Sequence, residues 1–152
     1  MERIAFTGAA PELYKRLIGL HVAADKEAQA AGLSPVLLGL VRTRASQLNG
    51  CAFCVDMHTG ELAALGEPIR RVHALAVWEE SGFFSEREEA ALELTEAMTL
   101  LAESRVPDEI YERAAEEFSA EELTQLVWAI TIINSFNRLS VTSRTAPPSL
   151  DA

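Results

Sequence analysis

The sequence predicts an all-α chain of about seven helices, and three observations carry that reading. Apolar residues recur at helical spacing along most of the 152 residues. Helix-start signals stand at Ser34-Pro35, Ser85-Glu86-Arg87-Glu88 and Ser119-Ala120-Glu121-Glu122, the last two being capping boxes. With 49% hydrophobic residues and only six Pro and eight Gly, the composition is that of a globular chain rather than a disordered one.

Residues 1–10 read as an extended N-terminal arm, ending where Pro11 suits a first helical turn. The first helix then runs to about Ala31, with Leu13, Leu17, Leu20 and Ala24 on its apolar side and Gly32 closing it. His21 lies in it and reads as a core or surface histidine, because no cysteine or carboxylate motif accompanies it. The second helix starts at Ser34-Pro35, reaches about Leu48, and carries Gly39 inside it at a cost of about 1 kcal/mol relative to Ala. Asn49-Gly50 suits its end, so Cys51 opens a third helix that stops near Leu65-Gly66, with Met57, Leu62 and Leu65 packing inward.

Pro68 begins a fourth helix with Ile69, Val72, Ala76 and Trp78 inward, ending before Ser81-Gly82. Ser85 caps a fifth that continues through Leu101, and Val106-Pro107-Asp108 begins a sixth whose inner set is Ile110, Tyr111, Ala114, Ala115 and Phe118. The seventh runs from Ser119 to about Ser140 and is apolar nearly all round between Leu126 and Ile133, which predicts burial on every side, part of it by another subunit. Near its end Asn134, Asn137 and Arg138 form one polar stripe, expected to bind a carboxylate or backbone carbonyls of a neighbouring helix. Residues 141–152 read as a loose tail, and residues 1–152 as a single domain.

A formal charge of −10 argues against nucleic acid and anionic membrane as partners, since both would repel it. No apolar run is long enough for a membrane span or a signal peptide, so a cytoplasmic protein is expected. No Gly-rich phosphate loop is present, and no cofactor is implied.

The chemistry concentrates in Gly50 to Glu61, which holds the only two cysteines, Cys51 and Cys54, and His58. At about 100° per residue on a helix, both sulfurs and the imidazole fall within roughly 60° of arc. Unpaired amides at a helix start favour a thiolate, and an imidazole can take the thiol proton. Glu61 lies one turn past His58 on the same face; it either orients the imidazole or is a solvated acid. In a reducing compartment this spacing points to a working dithiol. Zinc binding is the weaker reading, because His21 and His73 stand alone and no second ligand pair exists; two inert buried thiols are the third. The helix terminus favours Cys51 as the activated sulfur and the nearer His favours Cys54, so the residues themselves leave the roles open.

The run Ser46-Gln47-Leu48-Asn49-Gly50-Cys51-Ala52-Phe53-Cys54-Val55-Asp56-Met57-His58-Thr59 resembles the alkylhydroperoxidase AhpD-like branch of the carboxymuconolactone decarboxylase family. Arg42 to Arg44, Trp78, Ser85 to Thr99 and Ile133 to Arg138 extend the resemblance over most of residues 11–140. It implies an AhpD-like helical domain, a trimeric or hexameric homo-oligomer, and a thiol-dependent peroxidase or disulfide reductase. Cys54 would be the peroxidatic and Cys51 the resolving cysteine, with His58 in a proton relay and no metal. A peroxide would be the substrate, and a lipoylated or thioredoxin-like dithiol the reductant. One position departs from the family pattern: its relay glutamate belongs twelve residues before Cys51, where this chain has Gly39, leaving Glu61 as the candidate substitute. The alternatives are a lactone decarboxylase-like enzyme, whose chemistry needs no cysteine pair, and a non-catalytic redox-sensing oligomer.

Overall fold

The computed structural model describes residues 3–150, all helix, turn and loop, with no strand among them. Met1, Glu2, Asp151 and Ala152, the outer ends of the expected arm and tail, lie outside the described residues. The elements in order are α1 (Phe6–Ala9), α2 (Pro11–Ala31), α3 (Pro35–Leu48), α4 (Ala52–Ala64), α5 (Ile69–Ala74), α6 (Trp78–Ser81), α7 (Glu86–Thr99), α8 (Leu101–Ser104), α9 (Asp108–Glu117) and α10 (Ala120–Ser143).

The helix starts obey their caps. Ser34 Oγ accepts from the Leu37 amide, and the Ser85/Glu88 and Ser119/Glu122 capping boxes form both of their hydrogen bonds. α4, α7 and α10 pack on different sides of α3, while α2 lies against α10 and α9 against α7. Nine of the fourteen residues of α3 are buried. One side joins Leu37, Leu38 and Val41 to a core with α7, α9 and α10; the other sends Leu40 into a cluster with Leu62, Val72, Leu75, Trp78 and Leu92. Thr43 and Ser46, both fully buried, return their hydroxyls to the Gly39 and Arg42 carbonyls and so leave no polar group stranded.

Gly39 has a packing reason. A Cβ built on it would lie 2.7 Å from Leu62 Cδ2 and 3.1 Å from Leu62 Cγ, so α3 and α4 close together only because position 39 has no side chain.

Several expectations are corrected. The N-terminal arm is not extended throughout, because Phe6–Ala9 closes a helical turn, and α10 continues through Ser143 into the expected tail. The fourth helix is broken by a tight 3₁₀ turn at Leu75–Val77, which brings Leu75 inward and leaves Ile69 60% exposed. The fifth ends at Thr99, and Leu101 begins a separate exposed turn. On α2 the predicted apolar side is largely open: Leu13 is 71% exposed, Leu20 is also exposed, and Ala28 is the buried residue. Met57, Leu65, Tyr111 and Ala115 are exposed as well. Within one chain the helix enclosed on most sides is α3; on α10 Trp128 is 48% exposed, which leaves open the expected cover by another subunit.

Candidate functional site

The α3–α4 junction delivers the dithiol. Gly50 adopts a φ of 66°, and the Gly50 and Cys51 amides donate to the Gln47 and Ser46 carbonyls, which is the Schellman ending of α3. That ending sets Cys51 as the N-cap of α4, with its Sγ 3.3 Å from the Cys54 amide. Cys51 and Cys54 are joined as a disulfide, their Cα atoms 5.3 Å apart.

An amide cluster holds the junction from the other side. Asn49 Nδ2 donates to Asn134 Oδ1 and Asn137 Oδ1, both at 2.9 Å, while Asn137 Nδ2 donates to Ser46 Oγ and Asn134 Nδ2 to Thr99 Oγ1. The polar stripe of α10 is therefore structural, although its partner is an amide and not a carboxylate. Arg138 is exposed rather than buried, and donates back to the Asn134 carbonyl of its own helix.

His58 follows Cys54 by one turn and is 3% exposed. Its Nδ1 lies 2.8 Å from Glu61 Oε2. Burial drives its pKa below the ordinary 6.5; the hydrogen bond and charge of Glu61 oppose this, and Arg42 and His21 reinforce it. A neutral ring facing a carboxylate through Nδ1 must carry its proton there, so Nε2 is left as a lone-pair acceptor. Nε2 is buried and has no hydrogen-bond partner. The Glu61 side chain is 53% exposed, so it holds the ring in place while reaching solvent.

Cys54, His58 and Glu61 line a cavity of ≈ 220 Å³ walled by α2, α3, α4 and α10. Its apolar side comes from Tyr14, Ile18, Phe53, Met57, Ile133 and Phe136. Phe136 takes the Tyr14 and His21 rings edge-on at 6.2 and 5.8 Å. Two basic side chains reach it besides the hydroxyl residues Thr7 and Ser140, and the sequence did not mark either as a site residue: His21, and Arg42, which is 8% exposed and paired with Asp25. His21 Nε2 is 3.9 Å from Asp25, and its pKa is lowered chiefly by burial and then by Arg42. Only the i, i+4 spacing of His21 and Asp25 was visible beforehand, and that pattern is common on helix surfaces. No group of three His, Cys, Asp or Glu arranged to hold a metal occurs among the described residues, and none of their helices is long and apolar enough to cross a membrane.

A helical fold with a Cys-x-x-Cys pair at a helix start and a His one turn on defines an AhpD-like protein. The chain belongs to the carboxymuconolactone decarboxylase family, whose profile matches residues 11–97. It is 39% identical over 140 residues to the uncharacterized protein YdfG of Bacillus subtilis, covering 92% of each chain. An Agrobacterium tumefaciens protein of unknown function, a candidate antioxidant defence protein AhpD, superposes with a TM-score of 0.89 at 36% identity, over 98% of this chain and 99% of that one. The debrominase Bmp8 shares the fold, with a TM-score of 0.79 at 20% identity over 94% of this chain and 75% of its own.

Proposed function

We propose that this protein is a thiol-dependent peroxidase in which Cys54 is the peroxidatic cysteine, Cys51 resolves it, and His58 is the base. The observation that carries the reading is the free Nε2 of a neutral His58 lining the same cavity as Cys54. In the reduced protein His58 takes the Cys54 proton, and the thiolate attacks the terminal peroxide oxygen. The O–O bond breaks, the leaving alkoxide receives that proton, and Cys54 becomes a sulfenic acid. Cys51 then attacks the Cys54 sulfur, water leaves, and the disulfide forms. An external dithiol, lipoylated or thioredoxin-like, restores both thiols.

Glu61 serves as the relay carboxylate in place of the glutamate that the family resemblance assigns to position 39. Exposed Leu13 and Val22 on α2, 71% and 61% open, support a homo-oligomer, trimeric or hexameric, that covers them. A cytoplasmic setting suits a dithiol that must be reduced after each turn.

The test is a thiol titration of the reduced protein before and after one equivalent of cumene hydroperoxide. The expected result is loss of both thiols without chain-linking disulfides, with sustained peroxide consumption when dithiol is supplied. Cys54→Ser should consume none, and Cys51→Ser should stop after one turnover. Activity retained in Cys54→Ser but lost in Cys51→Ser would reverse the roles. Consumption of only one equivalent per chain despite excess dithiol would leave a redox sensor.

A further inference from the structure

The cavity beside Cys54 carries one permanent cation. Among the described residues that line it, Arg42 is the only arginine or lysine and Glu61 the only acid. The Arg42 side chain is 10% exposed, and its Nη2 donates to Asp25 Oδ1. It makes no other side-chain hydrogen bond among the described residues. A guanidinium presents its N–H donors as a rigid fork, so most of this fork is unspent. The polar side-chain atoms that are both sealed off and unpartnered are His58 Nε2 and Arg71 Nε, so the unspent N–H groups of Arg42 remain open to a ligand.

The ion pair is oriented. Arg42 lines both the cavity and a neighbouring depression of ≈ 320 Å³, whereas Asp25 lines the depression and not the cavity. The pair therefore turns its positive end toward Cys54 and His58. Its charge is felt there, since Arg42 contributes to lowering the pKa of both His21 and His58. The other polar groups that reach the cavity from α1, α2 and α10 are the uncharged hydroxyls of Thr7, Tyr14 and Ser140 and the ring of His21.

We propose that Arg42 is a catalytic residue of the peroxide step, its free N–H groups holding the leaving oxygen as the O–O bond breaks, with Asp25 as the residue that positions it. The inference rests on the peroxidase reading and adds to it the group that meets the developing charge.

The step balances. The Cys54 thiolate forms a bond to the terminal peroxide oxygen, and the O–O electron pair leaves on the other oxygen. Sulfur is oxidised from thiolate to sulfenic acid, and the peroxide is reduced to an alkoxide and the hydroxyl that stays on sulfur. The proton that His58 took from Cys54 ends on the alkoxide, and Arg42 keeps its own. Displacement in line puts the leaving oxygen on the side away from Cys54, and so away from α4, toward the walls where Arg42 is the one cation. Charge gathering on oxygen in an apolar cavity is costly, and a donor already fixed in place lowers that cost without reorganising. The fork lets one side chain bind Asp25 and the oxygen together, which a lysine ammonium does less well.

The experiment is a single turnover of the reduced protein, freed of reductant, with disulfide formation followed by rapid alkylation and mass. Two oxidants are compared. tert-Butyl hydroperoxide leaves as a basic alkoxide, and peracetic acid leaves as acetate, which carries its charge with little help. Arg42→Met, which keeps the length of the side chain, should lose about 10²-fold with the hydroperoxide and less than about fivefold with the peracid. Arg42→Lys and Asp25→Asn should each lose about tenfold with the hydroperoxide and again spare the peracid. Alkylation of Cys54 by iodoacetamide at alkaline pH, where the thiol is ionised in every variant, should change less than about threefold and shows that the site is folded. Equal losses with both oxidants, an undiminished hydroperoxide rate in Arg42→Met, or an alkylation rate that falls in step with it would overturn the proposal while the wild-type reaction leaves the peroxidase reading standing. A wild-type protein that closes no disulfide with either oxidant would instead sink the peroxidase reading, and this inference with it.

Discussion

Replacing Gly39 by Ala tests whether the close contact of α3 and α4 is as tight as the geometry requires. The added methyl would stand 2.7 Å from Leu62 Cδ2, and Leu62 is fully buried among Leu40, Val72, Leu75 and Trp78, so it has no open space to swing into. Overpacking of this kind costs about 1–3 kcal/mol. The helix preference of Ala over Gly returns about 1 kcal/mol. The net expectation is a loss of about 1 kcal/mol, or about 2–4 °C in Tm for a chain of this size. Gly60 is the internal control: it is exposed in α4, and a Cβ there meets nothing within 4 Å. Gly60→Ala should therefore gain about 0.5–1 kcal/mol. Urea unfolding at one fixed protein concentration should give a lower midpoint for Gly39→Ala and a higher one for Gly60→Ala, with m unchanged in both. If Gly39→Ala stabilises as much as Gly60→Ala, the two helices are not in the contact described, and the account of Gly39 is wrong.

Two further predictions concern the groups that hold the site. Because Glu61 raises the pKa of His58 against the lowering effect of burial, Glu61→Gln should move the His58 titration of the disulfide form further below 6.5, read by NMR of the imidazole carbons; an unmoved midpoint would deny the Nδ1 contact. Asn137 is fully buried and links Asn49 to Ser46, so Asn137→Ala removes two hydrogen bonds whose partners each keep one other, at a cost of about 2 kcal/mol in urea unfolding, and should speed amide exchange at Gly50 and Cys51. A loss below about 0.5 kcal/mol would mean that the amide cluster does not brace the junction.

What the sequence made legible was local. Ser34, Ser85, Ser119 and Gly50 act within four or five residues of themselves, and each is found in the conformation its type favours. Cys51, Cys54, His58 and Glu61 belong to one cap and three turns of one helix, so their common face followed from helical geometry alone. His21 and Asp25 were not legible as site residues, and Arg42 was marked only by the family resemblance, because their place beside α4 comes from tertiary packing and nothing in the spacing ties residue 21 to residue 58. Periodicity likewise marked α2 as apolar along Leu13 and Leu20 without saying what covers them, and in the chain alone nothing does. The break at Leu75–Val77 has no Gly or Pro to announce it; drawing Leu75 into the cluster around Leu40 and Leu92 outweighs helix continuity there. Arg138 was read as part of one buried polar stripe with Asn134 and Asn137, but a step of one residue from Asn137 turns its side chain toward solvent.

Gly39 and Glu61 are best understood together. They sit on facing helices and line the same small depression beside His21 and Arg42. A glutamate at position 39 would need the space that Leu62 fills, so the side chain that seals the α3–α4 contact also bars a carboxylate from α3. In the proposed relay the acid lies on α4: Glu61 and His58 share one helix at i, i+3, and their 2.8 Å contact is set by helical geometry rather than by how two helices dock. That contact then tolerates small shifts of α3 that would separate a carboxylate on one helix from an imidazole on the other. Adding a carboxylate back at position 39 should for that reason not improve the site, since it would prise apart the helices whose contact keeps His58 dry and neutral.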